Sequence, residues 1–299
     1  WEQQYRDQSE PEPLIELALW WLRAHRPDDD AWPVVLVQGD TGPGNFMYDE
    51  RGLVAVTDWE MAHYGDLHDD LAWIYARDLQ ERFTDLPARL RDYERFSGHT
   101  LDADRLRYFL VLAQLRCAIG TRNGVLARDS RGEIANHLVY STLHIRALAE
   151  ALAGASGVTV PTDDEVVDGV LDDAAATTSV TWMYDVALDD LRHHVVPAIG
   201  DGFAQRRAKG LARLLKFLRE HDRIGASVDR AELAMLSELL GRTFTDAPAG
   251  RRALCDAIRA GSIHEHGTIV FAVRQQRLRT EVMRPAMGAL ADRHHSPLP

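Results

Sequence analysis

The sequence predicts an α+β protein that is predominantly helical, with a small β-hairpin near its start and an all-α bundle in its second half. Three observations carry this. Short β-branched runs cut by turn residues are confined to residues 34–66. Apolar stripes at helical spacing fill most of the remainder. A small, polar, proline-containing stretch, GASGVTVPTDDE at 154–165, reads as a break between two helical halves.

In chain order, PEPLIELALWWLRAHRP (11–27) predicts a helix kept apolar by Leu14, Leu17, Leu19, Trp20 and Leu22, and ended by Pro27 and three aspartates. VVLV (34–37) predicts a buried strand. Phe46–Tyr48 and Leu53–Val56 form a hairpin with its turn at Asp49–Gly52. Asp66 is placed to cap a following helix, with Asp69 and Asp70 in its first turn and Leu67, Leu71, Ile74 and Leu79 along one face. Helices are expected over 86–96, 103–126 and 135–153, then near 183–199, 203–221, 229–241, 249–260 and 265–292. Leu211, Leu214, Leu215 and Leu218 make one stripe of the second half, and Leu233, Leu236, Leu239 and Leu240 another. The expected division is a first unit over 1–155, a linker over 156–180 and a helical accessory domain over 181–299.

The bulk properties set limits. The 299 residues are 45% hydrophobic and 27% charged, ordinary for a chain that buries a sizeable core. The formal charge of −12 argues against a nucleic acid or an anionic membrane as partner. Cys117 and Cys255 stand far apart and outside any metal-binding spacing, which suits a reduced, cytoplasmic compartment. No apolar run approaches 18 residues, so no membrane span is expected. The chain begins at Trp1 and is expected to be a fragment or a processed product.

The chemistry concentrates in VVLVQGDTGPGNFMYDERGLVAVTDWEMAHYGD (34–66). Phosphoryl transfer needs a carboxylate to receive the proton of an attacking hydroxyl, and oxygen ligands to hold Mg²⁺ on the phosphates. In kinases a catalytic-loop Asp is followed five positions later by a metal-binding Asn, and a second metal-binding Asp follows the next hairpin. Asp40 and Asn45 are five positions apart, and Asp58 follows thirteen later across one hairpin. This spacing brings three oxygen-bearing side chains to one point.

Together, VQGDTGPGNFMYD, VAVTDWEMAHYGD and LHDDLAW resemble the aminoglycoside phosphotransferase-like (choline-kinase-like) family, close in wording to the branch fused to acyl-CoA dehydrogenases. The resemblance implies a protein-kinase-like C-lobe, with ATP and Mg²⁺ as cofactors and a small-molecule hydroxyl as substrate. By it Asp40 would be the catalytic base, Asn45 and Asp58 the metal and cofactor ligands, and Asp66 a brace for the catalytic loop. Gln38 stands where the family has His, and Leu67 where it has Pro. Such kinases also need an N-lobe with a Gly-rich hairpin and a strand Lys. No such lobe precedes residue 11, so a missing N-lobe or partner chain is expected. The opposing reading is a non-catalytic, truncated or pseudokinase module that binds partners. The helices from 203 onward are similar to an uncharacterised helical domain associated with such phosphotransferases.

Plainer roles exist for the same residues. Asp40 ahead of Thr-Gly-Pro-Gly also fits a turn, and Asp69 and Asp70 fit helix-dipole positions. His63 and His68 are badly spaced for one metal site, and His193, His194, His294 and His295 read as surface residues. Glu60 reads as a surface or salt-bridged carboxylate. Trp20, Trp21, Trp59 and Trp73 read as packing. Arg116 and Arg122 read as salt-bridged or surface residues, and Arg206, Arg207, Lys209 and Arg213 as a solvated basic helix face.

Overall fold

The structure is a computed structural model that describes residues 1–8, 10–28, 32–128, 133–160, 165–172 and 177–298. Residues 161–164 and 173–176 of the expected linker, and the aspartates at 29 and 30, lie outside these residues. The short helix α1 (Glu2–Arg6) leads into α2 (Pro13–Ala24), which starts with Pro at its first position, where the missing N–H costs nothing. Strands β1 (Val35–Val37), β2 (Phe46–Asp49), β3 (Gly52–Val56) and β4 (His63–Gly65) follow. The next layer is α3 (Leu67–Gln80), α4 (Leu86–Ser97), α5 (Ala103–Leu126) and α6 (Ile134–Ala155). Each of α3, α4 and α5 begins on an aspartate whose carboxylate accepts a backbone N–H of its own first turn.

The second half is helical, as its stripes predict. It comprises α7 (Glu165–Asp172), α8 (Thr181–Asp190) with a π turn leading to α9 (Val196–Ala198), α10 (Gly202–Leu240), α11 (Ala247–Arg259) and α12 (Glu265–Met287), closed by a 3-10 turn at Gly288–Asp292. The two helices expected over 203–221 and 229–241 are one. Asp222–Val228 contains no proline, and Ile224 and Val228 bury, so the apolar stripe runs through Gly225 unbroken. Helix α7 occupies the middle of the expected linker, and its Val167 is buried.

Two features of the strands depart from expectation. β4, which the sequence did not announce, pairs antiparallel with β1, matching Leu36 with Tyr64 and Val37 with His63. The run at 34–37 is only half covered: Val37 is fully buried against the helices, while Val34 and Leu36 are 71% and 57% exposed. A two-stranded sheet has two faces, and α3 covers one. On the β2–β3 hairpin Tyr48 and Leu53, which pair across the strands, are exposed as well.

The helical halves share one core running from Tyr5 through Leu71, Leu148 and Leu236 to Val282. α12 packs on α6, and α11 on α2. Glu16, 2% exposed, sits at that second junction, accepting from Tyr5 Oη (2.8 Å), Arg6 (2.6 Å) and Arg259 (3.1 Å to Nε). Burial alone would raise its pKa, but the Arg259, Arg6 and Tyr5 hydrogen bonds outweigh it and hold the carboxyl below the usual range. The last residues fold back over α3: Arg82 donates to Ser296 Oγ (2.6 Å) and Tyr75 to the Pro297 carbonyl (3.1 Å). Arg146, 4% exposed, donates to the carbonyls of Leu290, Ala291 and Arg293. A polar chain, Gln80–His144–Gln114–His295, joins α3, α6, α5 and this tail through three contacts of 2.8 Å. His295 is therefore a half-buried structural residue rather than a surface one, because the tail lies down on the helices instead of leaving them.

Two outcomes follow from these buried groups. Glu16→Ala removes the buried acceptor that Tyr5, Arg6 and Arg259 share at the α2–α11 junction and is expected to cost about 2 kcal/mol, read from the urea midpoint. His144, fully buried, has its pKa pushed down to about 3 by burial, with His295 and Arg77 adding to the effect. A folded-state pKa below the unfolded value means that stability is present above pH 6.5 and falls as pH drops toward 3, by on the order of 1 kcal/mol per pH unit. Urea titrations at pH 7 and 4.5 should show this slope reduced by about one proton in His144→Gln.

Candidate functional site

The loop after β1 is shaped by close approach. Gly39 has φ +86, and a β-carbon there would lie 2.5 Å from the Met61 carbonyl oxygen, so no other residue fits. Gly42 packs so closely on Arg77 that a β-carbon would meet its Cγ at 2.7 Å. The loop runs into a short 3-10 turn, Pro43–Asn45, and then directly into β2.

Helix α3 holds the loop. Asp70 accepts the N–H of Gln38 and of Gly39, each at 2.9 Å, and the Thr41 hydroxyl as well. The brace assigned to Asp66 by resemblance therefore belongs to Asp70. Asp66 instead caps α3 at His68 N (2.9 Å) and takes His68 Nδ1 (2.6 Å) and Arg105 Nε (2.7 Å). One turn further along α3, Trp73 Nε1 and Arg77 both donate to Asp40 Oδ1. Asp70, Trp73 and Arg77 lie at i, i+3 and i+7, one face of a helix, and that face is aimed at the loop.

Gln38, 4% exposed, joins the loop after β1 to the end of the β2–β3 hairpin. Its Oε1 accepts Asp40 N–H (2.8 Å), while its Nε2 donates to the carbonyls of Thr57 (3.0 Å) and Asp58 (2.7 Å). The amide thus ties the two segments together entirely through backbone groups. Asp58 sits in the left-handed region at φ 60, ψ 56, a conformation Asp tolerates better than most side chains. Strain of this kind persists where the surroundings enforce it, and here Gln38 grips the Asp58 carbonyl.

Asp40, Asn45 and Asp58 line one cleft of about 490 Å³, together with Arg77, Tyr140 from α6 and Arg293 from the C-terminal tail. Asn45 Nδ2 donates to Asp40 Oδ2 (3.1 Å) and to the Asp40 carbonyl (2.9 Å), which leaves its Oδ1 as the acceptor it presents elsewhere. The Asp58 carboxylate has no hydrogen-bond or ion-pair partner among the described residues. Two oxygen ligands suit Mg²⁺, whose remaining positions are commonly filled by phosphate oxygens and water. No group of three His, Cys, Asp or Glu side chains among the described residues could hold a metal by itself.

Other residues singled out from the sequence have structural partners. Arg116 pairs with Asp69 (2.7 Å), His63 Nε2 lies 3.3 Å from the same carboxylate, and His68 Nε2 accepts Asp102 N–H (3.1 Å). Trp73 was read as packing; its indole N–H also serves the site. Arg77 and Arg293 were missed. The i, i+3, i+7 spacing could have pointed to Arg77, whereas nothing local marks Arg293, which reaches the cleft by tertiary folding.

Asp70→Ala removes a charged acceptor from two successive amides and is expected to cost about 2–3 kcal/mol. Hydrogen exchange of the Gln38 and Gly39 amides should speed up at least tenfold, with α11 and α12 unaffected.

No solved structure matches the chain with significance. Residues 1–109 match the model of the phosphotransferase enzyme family, APH, a segment that spans the loop, both strand pairs, α3 and α4. The match supports a phosphotransferase-type function in general and a small-molecule substrate. That segment, which carries Asp40, Asn45 and Asp58 and makes up about a third of the chain, is thus similar to the phosphotransferase enzyme family.

Proposed function

We propose that this chain carries the catalytic and metal-binding half of an ATP- and Mg²⁺-dependent phosphotransferase acting on a small-molecule hydroxyl. The observation that supports it best is the convergence of Asp40, Asn45 and Asp58 on one cleft, through a loop clamped by Asp70 and Gln38. Asp40 receives the proton of the attacking hydroxyl at Oδ2, which accepts from Asn45, whereas Oδ1 takes both Trp73 and Arg77. Asn45 and Asp58 hold the cation through Asn45 Oδ1 and the Asp58 carboxylate. When bound, Mg²⁺–ATP supplies the phosphoryl group and neutralises charge on its oxygens. Arg77 and Arg293 add positive charge to the cleft wall, where a transferring phosphoryl group passes.

The bare apolar side chains beside the cleft fit a covering lobe or partner chain. Leu36 and Tyr64 pair across β1 and β4 and are 57% and 80% exposed, and Trp59, next to Asp58, is 46% exposed. A patch of this kind on a soluble fold marks a surface made to be covered.

One observation favours a second reading, in which the fold binds partners without catalysis. Asp40 Oδ1 already accepts from two side chains, as a structural acceptor would. A single titration separates the two. Isothermal titration of the chain with Mg²⁺–ATP is expected to give weak saturable heat, which Asp58→Ala removes. Binding in neither protein supports the second reading, and equal binding in both overturns the metal role of Asp58.

A further inference from the structure

We infer that the outer faces of α8 and of the first half of α10 form an interface on which a second copy of this chain docks about a two-fold axis. Among residues 177–207 not one is buried, although this stretch holds all of α8 and α9 and the start of α10. A helix as short as α8, with 10 residues, keeps its shape by burying an apolar face, since its propensity alone does not suffice. α8 does so only in part. It packs on α10 and on the π turn, with Arg219 donating to Asp185 (2.7 Å).

The faces left over carry two apolar stripes. On α8, Trp182, Met183 and Val186 fall within about 100° of one another, and on α10, Phe203, Leu211 and Leu218 fall within about 80°. All six are between 46% and 60% exposed. Large apolar side chains grouped in this way mark a surface that meets a partner, whereas singly scattered ones do not.

The charges beside the stripes name the occupant. Asp189 and Asp190 project from the same side of α8 as its apolar stripe, and Asp190 has no partner among the described residues. Residues 202–219 of α10 hold six Arg and Lys and no acidic residue, with Arg206 and Arg207 beside the stripe. Arg206 meets only the Phe203 ring, 6.0 Å from its centroid, and no carboxylate among the described residues. The acidic and basic stripes cannot close on each other within one copy, because α8 meets α10 through its other face, at Leu188. A two-fold axis sets the α8 stripe of each copy against the α10 stripe of the other, so both are covered and both charges answered at once. A polyanion or an anionic membrane drawn to α10 would instead meet Asp189 and Asp190.

Size-exclusion chromatography with light scattering, at tens of micromolar chain, tests the interface. The unmodified chain is expected at twice its 33.6 kDa. Asp189→Arg with Asp190→Arg makes both stripes basic, and Arg206→Glu with Arg207→Glu makes both acidic, so each double variant alone should run as a monomer. An equimolar mixture of the two should return to the dimer mass, since every stripe then faces its opposite. The inference is overturned if the unmodified chain is a monomer, if either double variant stays dimeric, which places the contact elsewhere, or if the mixture stays monomeric. A monomer that sediments with phosphatidylserine vesicles overturns it in favour of a membrane. Circular dichroism checks that each variant folds; should a charge variant not, Leu211→Glu, at an exposed position, must still give the monomer.

Discussion

The candidate site depends on one carboxylate. Asp70 accepts two successive loop amides and a hydroxyl, which fixes the backbone of residues 38–41 to the body of α3. With that backbone set, the Gln38 side chain has only one place to go, and it carries the clamp across to Thr57 and Asp58. Asp40 and Asn45 then emerge from the same loop at a fixed distance from the hairpin end. Charge-assisted hydrogen bonds to backbone are among the stronger single contacts a protein makes, and a loop of three glycines within six residues needs them.

The same device recurs where the helical layers meet. Glu16 draws α1, α2 and α11 together, Glu232 draws α11 and α12 onto α10, and Asp69 draws α5 onto α3. Each carboxylate is at most 3% exposed at its side chain, so each would be costly without its arginine. Pairs of this kind add little net stability over an apolar contact. They do penalise any packing that separates the partners, and so help select one arrangement among several similar helices.

The bounds of α3, α4 and α5, and the convergence of Asp40, Asn45 and Asp58 on one cleft, were legible because they rest on local rules. Asp66, Asp85 and Asp102 announce their helices by capping, and Asp40, Asn45 and Asp58 stand at a spacing set by one loop and one hairpin. What was illegible rests on tertiary folding. Asp66 and Asp70 look alike in sequence, and only the approach of β1 to α3 decides which reaches the loop. β4 is three residues long and gains its identity from β1. The continuity of α10 through Gly225 is settled by burial of Ile224 and Val228, and Arg293 arrives from more than two hundred residues away.

Helix α6 stands between the cleft and a second cavity that it lines together with α10, α11 and α12. Tyr140 lines the cleft, while Leu138 and Thr142 line the cavity at Glu12. At 100° per residue, 138 and 142 fall on nearly the same side of a helix and 140 on the opposite one. A single rigid helix of 22 residues is therefore the wall between them, pinned at its far end by Arg146 against the tail that delivers Arg293.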